Sequence, residues 1–138
     1  MEFHGWANIR FEEDDTGIEG IHQIGVGRHA QAIKLVRAAI NDVHDEFSCF
    51  EVRQCGNGMI VLIAHGQRNH RFEAVIDLFR WVAESLPLSF GLLYVHDDEQ
   101  DGRRNEFRAW RLAKGELTEN DDPFLSPVIP TIEEPDDG

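Results

Sequence analysis

Long apolar runs are missing from the sequence. The longest, residues 59–64 and 86–95, fall short of the roughly 18 residues that span a bilayer as a helix. The segment from Met1 to Trp6 also lacks the basic stretch and following apolar stretch of a secretory signal. We therefore expect a protein that does not cross a membrane, and a cytoplasmic location is the default.

Cysteine is scarce, with only Cys49 and Cys55 in 138 residues. The two lie six positions apart in a predicted strand, which separates them by about 20 Å at about 3.3 Å per residue. A disulfide cannot bridge that distance. A metal site would need further ligands nearby, so we expect two ordinary reduced cysteines.

Catalytic and metal-binding motifs are lacking as well. The seven histidines form neither a HExxH sequence nor an i, i+4 pair on one helix, and no Gly-x-Ser-x-Gly elbow occurs. The run from Asp97 to Gly102, which includes Asp101, resembles the opening of an EF-hand loop, but Arg108 stands where the last carboxylate is required. An acidic solvated turn is favoured over weak cation binding. We predict no metal, no cofactor and no enzymatic activity.

What the sequence has in excess is acid, with a formal charge of −13 from 26 acidic and 13 basic residues. Residues 11–22 hold five acids and residues 116–138 hold eight, and neither segment contains Lys or Arg. The remaining 13 acids balance the 13 bases, so two segments carry the whole excess. This arrangement repels nucleic acid and attracts a basic protein.

The apolar pattern predicts an α+β fold. Residues 3–11 indicate a strand followed by a loop over 12–27, and apolar residues at three- and four-residue spacing predict a helix over 28–46. Runs 47–54 and 59–65 flank Asn57-Gly58 and predict a hairpin, a second helix covers 70–85, and strands follow at 88–96 and 106–112. This order predicts a ferredoxin-like β-α-β-β-α-β core with an extra C-terminal strand. Two helices are expected on one face of an antiparallel sheet, and the other face is left to solvent, the tail or a partner.

The tail contains three spaced prolines with apolar residues between them, so it is not helical. We expect one domain over residues 1–138, in which 117–132 docks as an extended strap and 133–138 frays. The tail could equally add a strand to the sheet.

Two stretches of the chain resemble a known family. They are Phe3-His4-Gly5-Trp6-Ala7-Asn8-Ile9-Arg10 and the segment from Asp121 to Pro130. The segment from Asn105 to Trp110 adds to the similarity. The sequence resembles the immunity protein seven family of bacterial polymorphic-toxin systems. This resemblance implies an antidote that binds and blocks a toxin domain without being an enzyme. We expect Trp6 and Trp110 to pack in the core, and Asp122 with Pro123 to set a turn that leads the tail back across the sheet.

Carboxylates are the candidate partner-binding groups. We hypothesise that a basic groove, such as that of a nuclease toxin, is met by Glu12, Glu13, Asp14, Asp15, Asp97, Asp98, Glu99 and Asp101. A role in solubility alone is the competing interpretation of these acids. The competing class of function is a small-ligand-binding or regulatory ferredoxin-like domain with its pocket on the uncovered sheet face. The sequence leaves the oligomeric state open.

Overall fold

The computed structural model describes residues 1–11, 21–99, 105–126 and 132, with residues 21–28 described as backbone alone. These residues form six strands and two helices, which confirms the α+β class. In chain order the elements are β1 (Glu2–Ile9), α1 (Ile21–Val43), β2 (Ser48–Cys55), β3 (Met59–Gln67), α2 (Glu73–Ser85), β4 (Phe90–His96), β5 (Arg108–Ala113) and β6 (Glu116–Asp121).

The six strands form one sheet in the order β2-β3-β1-β4-β5-β6, and each described pair of neighbours is antiparallel. The β2-β3 hairpin places β3 between β2 and β1. Helix α2 then carries the chain from β3 to β4 on the other side of β1. As a result, β1 and β4 are the two central strands, and each has a neighbour on both sides.

The two faces of the sheet differ because side chains alternate along each strand. On β1, Phe3, Ala7 and Ile9 are buried, whereas His4 and Trp6 are exposed. Both helices pack on the first face, since apolar residues of α1 and α2 join those of the strands in one buried cluster. That cluster includes Phe3, Val36, Ile40, Leu62, Ile76, Phe79, Val82, Leu93 and Leu112. We call the opposite face the open face.

Close packing under the helices depends on small residues in the strands. At Gly91 a Cβ atom would lie 2.1 Å from the backbone oxygen of Trp6, and at Gly66 one would lie 2.3 Å from the ring of Phe3. Larger side chains at these positions would push the central strands apart or displace a buried ring. Glycine therefore permits the observed register.

The predicted core position of Trp6 is wrong. Its side chain is 43% exposed on the open face, because it follows the same alternation that buries Gly5 and Ala7. Trp110 lies in register with the buried Leu93 on the helix-covered face, where it is half-buried and packs against the core.

Several predicted boundaries also shift. Helix α1 begins at Ile21, so the predicted loop over 12–27 is helical from that residue onward, and residues 12–20 lie outside the described part. This helix includes Gly25 and Gly27, and each glycine costs a helix only about 1 kcal/mol relative to alanine. Helix α2 ends at Ser85 as predicted and begins at Glu73 rather than at residue 70.

The hairpin of β2 and β3 is confirmed, with a different turn from the one expected. Cys55 pairs with Met59, so the turn has three residues, and its positive φ angles fall on Gly56 (61°) and Gly58 (88°). The glycines on either side of Asn57 therefore replace the expected Asn-Gly pair. Cys49 and Cys55 are unbridged, as predicted.

The C-terminal region contributes two extra strands rather than one. A turn at Lys114 and Gly115, with φ angles of 54° and 75°, connects β5 to β6. Residues 117–121 of the predicted strap thus belong to an edge strand. Ser126 follows in a short bridge, whereas 127–131 and 133–138 lie outside the described residues.

Candidate partner-binding surfaces

One end of the sheet gathers acidic residues. Here β1 begins, β4 and β6 finish, and the chain enters β2 and β5. Glu2 pairs with His96 at this end, and Arg108 pairs with Asp121. We call this region the acidic end, and its described carboxylates are Glu2, Asp45, Glu46, Asp97, Asp98, Glu99, Glu106, Asp121 and Asp122.

Arginines at the acidic end are already engaged by carboxylates. Arg68 bonds to Asp45 and lies 4.1 Å from the ring centre of Phe72. Arg71 bonds to Glu73 and Asp97, and although burial opposes its charge, these two carboxylates hold the pKa of Arg71 above its usual value. Among the described residues of this end, Arg68 and Arg71 are therefore paired with carboxylates of the protein itself.

Arg108 is the buried cation of this region, with a relative exposure of 8%. It donates to Glu119 at 2.6 Å and to Asp121, both on the neighbouring strand β6. Burial opposes the charge, but the two carboxylates outweigh it and hold the pKa of Arg108 above its usual value. The arrangement ties the edge strand to β5.

The predicted partner-binding carboxylates divide into two groups. Glu12 to Asp15 and Asp101 lie outside the described residues. Asp97, Asp98 and Glu99 are described, and they occupy the turn after β4 at the acidic end. The structure therefore places the turn that contains Asp97, Asp98 and Glu99 at the same end of the sheet as the end of β6. The linear sequence does not show this proximity.

Asp97 differs from its two neighbours. Its side chain is buried, accepts a hydrogen bond from Arg71 at 3.1 Å and accepts another from the backbone N–H of Glu99 at 3.2 Å. These bonds shape the turn. Asp98 and Glu99 are exposed, and Glu99 lies 3.0 Å from the ring of His70. Because an arginine engages the first EF-hand-like position, the geometry favours a structural acidic turn.

Asp122 forms a local turn after β6. One of its oxygens accepts hydrogen bonds from the backbone N–H groups of Phe124 and Leu125, at 3.1 and 3.2 Å. Pro123, which lies between Asp122 and Phe124 in the sequence, is exposed. A turn therefore occurs at the predicted place, while a path of the tail across the sheet stays a prediction.

The open face carries a contiguous apolar surface that sequence reasoning missed. In register across the sheet, Trp6 lies between Ile63 of β3 and Leu92 of β4. The ring of Trp6 meets that of Phe90 edge to face, with centroids 6.2 Å apart, and the guanidinium of Arg10 lies 5.5 Å from the Phe90 ring centre. We call the set Trp6, Val61, Ile63, Phe90 and Leu92 the open-face patch. Strict alternation along β1 was the signal that could have revealed it.

Two histidines lie between the open-face patch and the acidic end. His4 and His65 are paired across β1 and β3, with their Nδ1 atoms 2.7 Å apart, and the Nε2 atom of His4 lies 3.0 Å from Glu2. Partial burial, followed by the neighbouring His4, lowers the pKa of His65. Cys49 and Tyr94 complete this row of the sheet on either side.

Metal-binding clusters and membrane-spanning helices are both absent from the described residues. Within residues 1–11, 21–99, 105–126 and 132, no three His, Cys, Asp or Glu side chains are grouped so that they could hold a metal ion. No helix among these residues combines the length and apolar character needed to cross a membrane.

The fold and surfaces define a class of α+β protein in which two helices cover one face of an antiparallel sheet, and none of the described helices lies on the other face. The family model described as Immunity protein 7 matches residues 1–134, so the chain belongs to that family. Immunity proteins protect against toxins, and such families generally consist of inhibitors rather than enzymes. Comparison with curated proteins and with solved structures found no match.

Proposed function

We propose that this protein binds the toxin domain of a bacterial polymorphic-toxin system by direct contact and neutralises it in the cytoplasm of the producing cell. The family match over residues 1–134 carries the proposal. No catalytic step is required of the protein, because occupying the toxin is sufficient for inhibition. We further propose that the chain is one domain. The order β4-β1-β3-β2 of the first four strands supports a ferredoxin-like core.

The charge distribution supports a basic partner, and a nuclease is the toxin class that fits. Nucleases carry positive charge where they bind phosphate. The exposed Glu46, Asp98 and Glu99 concentrate negative charge at the acidic end, in a protein of formal charge −13. Rim charges of this kind mainly accelerate association and make it sensitive to salt.

We propose the same eight carboxylates that the sequence predicts, with a different role for Asp97. Glu12, Glu13, Asp14, Asp15, Asp98, Glu99 and Asp101 are proposed to face the basic partner. Asp97 bonds to Arg71 and is proposed to act by holding the turn that presents Asp98 and Glu99.

The experiment pairs this protein with the toxin domain at the C-terminus of the large secreted protein encoded beside it. Binding kinetics would be measured at low and high salt for the natural chain and for the variant Asp98→Asn/Glu99→Gln. The matched control is Glu84→Gln/Glu116→Gln, which removes the same charge where α2 ends and β6 begins, at the opposite end of the sheet. We expect the first variant to associate about threefold or more slowly at low salt, and the control to associate nearly normally.

Three outcomes would contradict parts of this proposal. Failure of the natural chain to bind the toxin domain would overturn the proposed function. Equal slowing of both variants would show that net charge matters and that the acidic end does not. The toxin domain would be assayed for degradation of DNA and RNA, alone and with an equimolar amount of this protein. If the toxin domain alone degrades neither DNA nor RNA, only the nuclease assignment is overturned.

The competing function was a small-ligand-binding domain with its pocket on the open face. In the described part of the chain, Trp6 and Phe90 on the open face are both at least 40% exposed and so do not line an enclosed pocket. Small-molecule sites are typically concave and enclose most of the ligand. No observation therefore favours this alternative over a protein partner.

A further inference from the structure

In the described part of the chain, the open-face patch exposes neighbouring large apolar side chains on strands of the sheet. Trp6 and Phe90 are 43% and 40% exposed and touch each other, and Ile63 and Leu92 flank Trp6 in register. Other large apolar side chains of the described residues are exposed as well. Leu35 lies on α1 and Met59 at the first position of β3, and those outside helices and strands are Phe47, Leu88, Phe124, Leu125 and Ile132. Contiguous exposed apolar surface, in contrast to single residues, marks a contact site.

The fold does not require these side chains. The buried cluster lies on the other face of the sheet and contains Phe3, Ala7 and Leu93 from the same two strands. A threonine or another polar β-former could occupy position 6 without disturbing that cluster. Tryptophan at an exposed position of a central strand therefore points to a role in recognition.

The patch is also well ordered for binding. Trp6 and Phe90 stand on β1 and β4, the two central strands, each paired on both sides. Edge-to-face packing between their rings, together with Arg10 over Phe90, restricts the side chains before a partner arrives. Rigid aromatic anchors lose little conformational entropy on binding, and tryptophan is enriched among residues that dominate interface energy.

On the open face only one polar row separates the patch from the acidic end, and this neighbourhood indicates the chemistry of the partner. From Trp6 the open face passes through the row of His4, His65 and Tyr94 to Glu2 and His96, next to the turn with Asp98 and Glu99. An apolar centre bordered by charged residues is the usual anatomy of a protein interface. Negative charge at the acidic end fits basic residues on that side of the partner, while Arg10, Arg53 and Arg111 border the patch on its other sides.

We propose that the basic toxin domain docks on the open face of the sheet, with Trp6 and Phe90 as its apolar anchors and the acidic end as its charged border. This inference rests on the proposed function, since it names the surface by which the toxin is held. The two regions have different kinetic roles. The anchors slow dissociation, whereas the acidic end accelerates association.

The test compares Trp6→Thr and Phe90→Thr with Leu35→Ala in binding to the same toxin domain. Leu35 is 45% exposed on α1, which covers the other face of the sheet, so it controls for the loss of exposed apolar area. We expect each open-face variant to weaken binding by about 30-fold or more, mainly through faster dissociation, as for interface hot spots. Leu35→Ala should bind like the natural chain.

Urea unfolding of each variant would show that the fold is intact, because changes at exposed positions usually have small effects on stability. If the natural chain, Trp6→Thr and Phe90→Thr bind the toxin equally well, the open-face proposal is overturned and the proposed function stands. Equal weakening by Leu35→Ala would overturn it as well. Sedimentation of the natural chain as a dimer and of Trp6→Thr as a monomer, without toxin, would assign the patch to a second copy instead. If the natural chain does not bind at all, the proposed function itself has failed.

Discussion

The contrast between Phe3 and Trp6 shows how single residues divide the sheet. They stand three positions apart on β1, and strand alternation sends the first into the core and the second to the open face. Gly5, between them in sequence, leaves the space beneath the sheet that the Phe79 ring and Leu93 occupy, with a would-be Cβ only 3.0 and 2.8 Å from these side chains. Alternation therefore divides the side chains of β1 between the core and the open face.

Paired histidines on the open face make stability depend on pH. Partial burial and the neighbouring His4 lower the pKa of His65 below its ordinary value of 6.5, so the unfolded chain binds a proton more readily than the folded one. The free energy of unfolding is therefore highest above pH 6.5, where the imidazole is neutral in both states. It decreases as the pH falls from 6.5 towards the lowered pKa of His65, because the unfolded chain binds the proton first. Glu2 beside His4, together with Cys49 and Tyr94 in the same row, are the other titratable groups facing the pair.

We expect His65→Gln to lose less stability than the natural chain when the pH is lowered from 7.5 to 5.5. Urea midpoints at the two pH values would measure the difference. His44→Gln, which removes an exposed histidine after α1, is the control. An unchanged pH dependence in His65→Gln would contradict the role assigned to the pair.

At the scale of elements, the β5-β6 hairpin depends on one buried cation. Strand β6 is the edge of the sheet and is polar over most of its length. Few apolar contacts are available to hold it, although half-buried Leu117 packs against the core. Arg108 compensates by bonding to Glu119 and Asp121 across the pair.

We expect Arg108→Leu to lower the free energy of unfolding by about 2 kcal/mol, because hydrogen bonds to charged groups contribute roughly 1.5–3 kcal/mol. Arg53→Leu is the matched control, since Arg53 is 63% exposed and lies 3.7 Å from Glu51 on the other edge strand. That change should alter stability by no more than about 0.5 kcal/mol. Urea unfolding would measure both, and equal effects would show that the buried network contributes little.

At the scale of the whole molecule, charge and apolar surface are separated in space. The acidic end collects carboxylates from the starts of β1 and β2, the turn after β4 and the end of β6. The open-face patch extends from the middle of the sheet towards the opposite end, where Phe90 and Arg10 lie. Separation of this kind lets long-range steering and short-range contact be altered independently.

One buried cluster contains residues from both helices and from strands β1 to β5, so we expect the chain to unfold as a single cooperative unit. Far-UV circular dichroism and tryptophan fluorescence should give coincident urea midpoints. Trp6, Trp81 and Trp110 report from the open face, α2 and β5 respectively. Separate transitions would mean that the hairpin of β5 and β6 unfolds independently, and that the single-domain prediction is wrong.

The sequence by itself determined the α+β class, the two helices, the first hairpin and the family resemblance. Local signals carry these features. Apolar spacing predicts the second helix over 70–85, which the structure has from Glu73 to Ser85, and Pro87 follows it. Asn57-Gly58 predicts the hairpin, although its positive φ angles fall on Gly56 and Gly58. The concentration of acid in the turn after β4 was also visible, since it is a property of consecutive residues.

Only the tertiary structure decided which way Trp6 faces, that β6 joins the sheet, and that Asp97 is turned inward while Asp98 is exposed. Each depends on a neighbour that is remote in sequence. The helices pack on one face of β1, Arg108 pairs with Asp121 of the polar strand β6, and Arg71 donates a hydrogen bond to Asp97. Alternation fixes two faces for every strand, but packing between distant elements determines which face becomes the core and which is left for a partner.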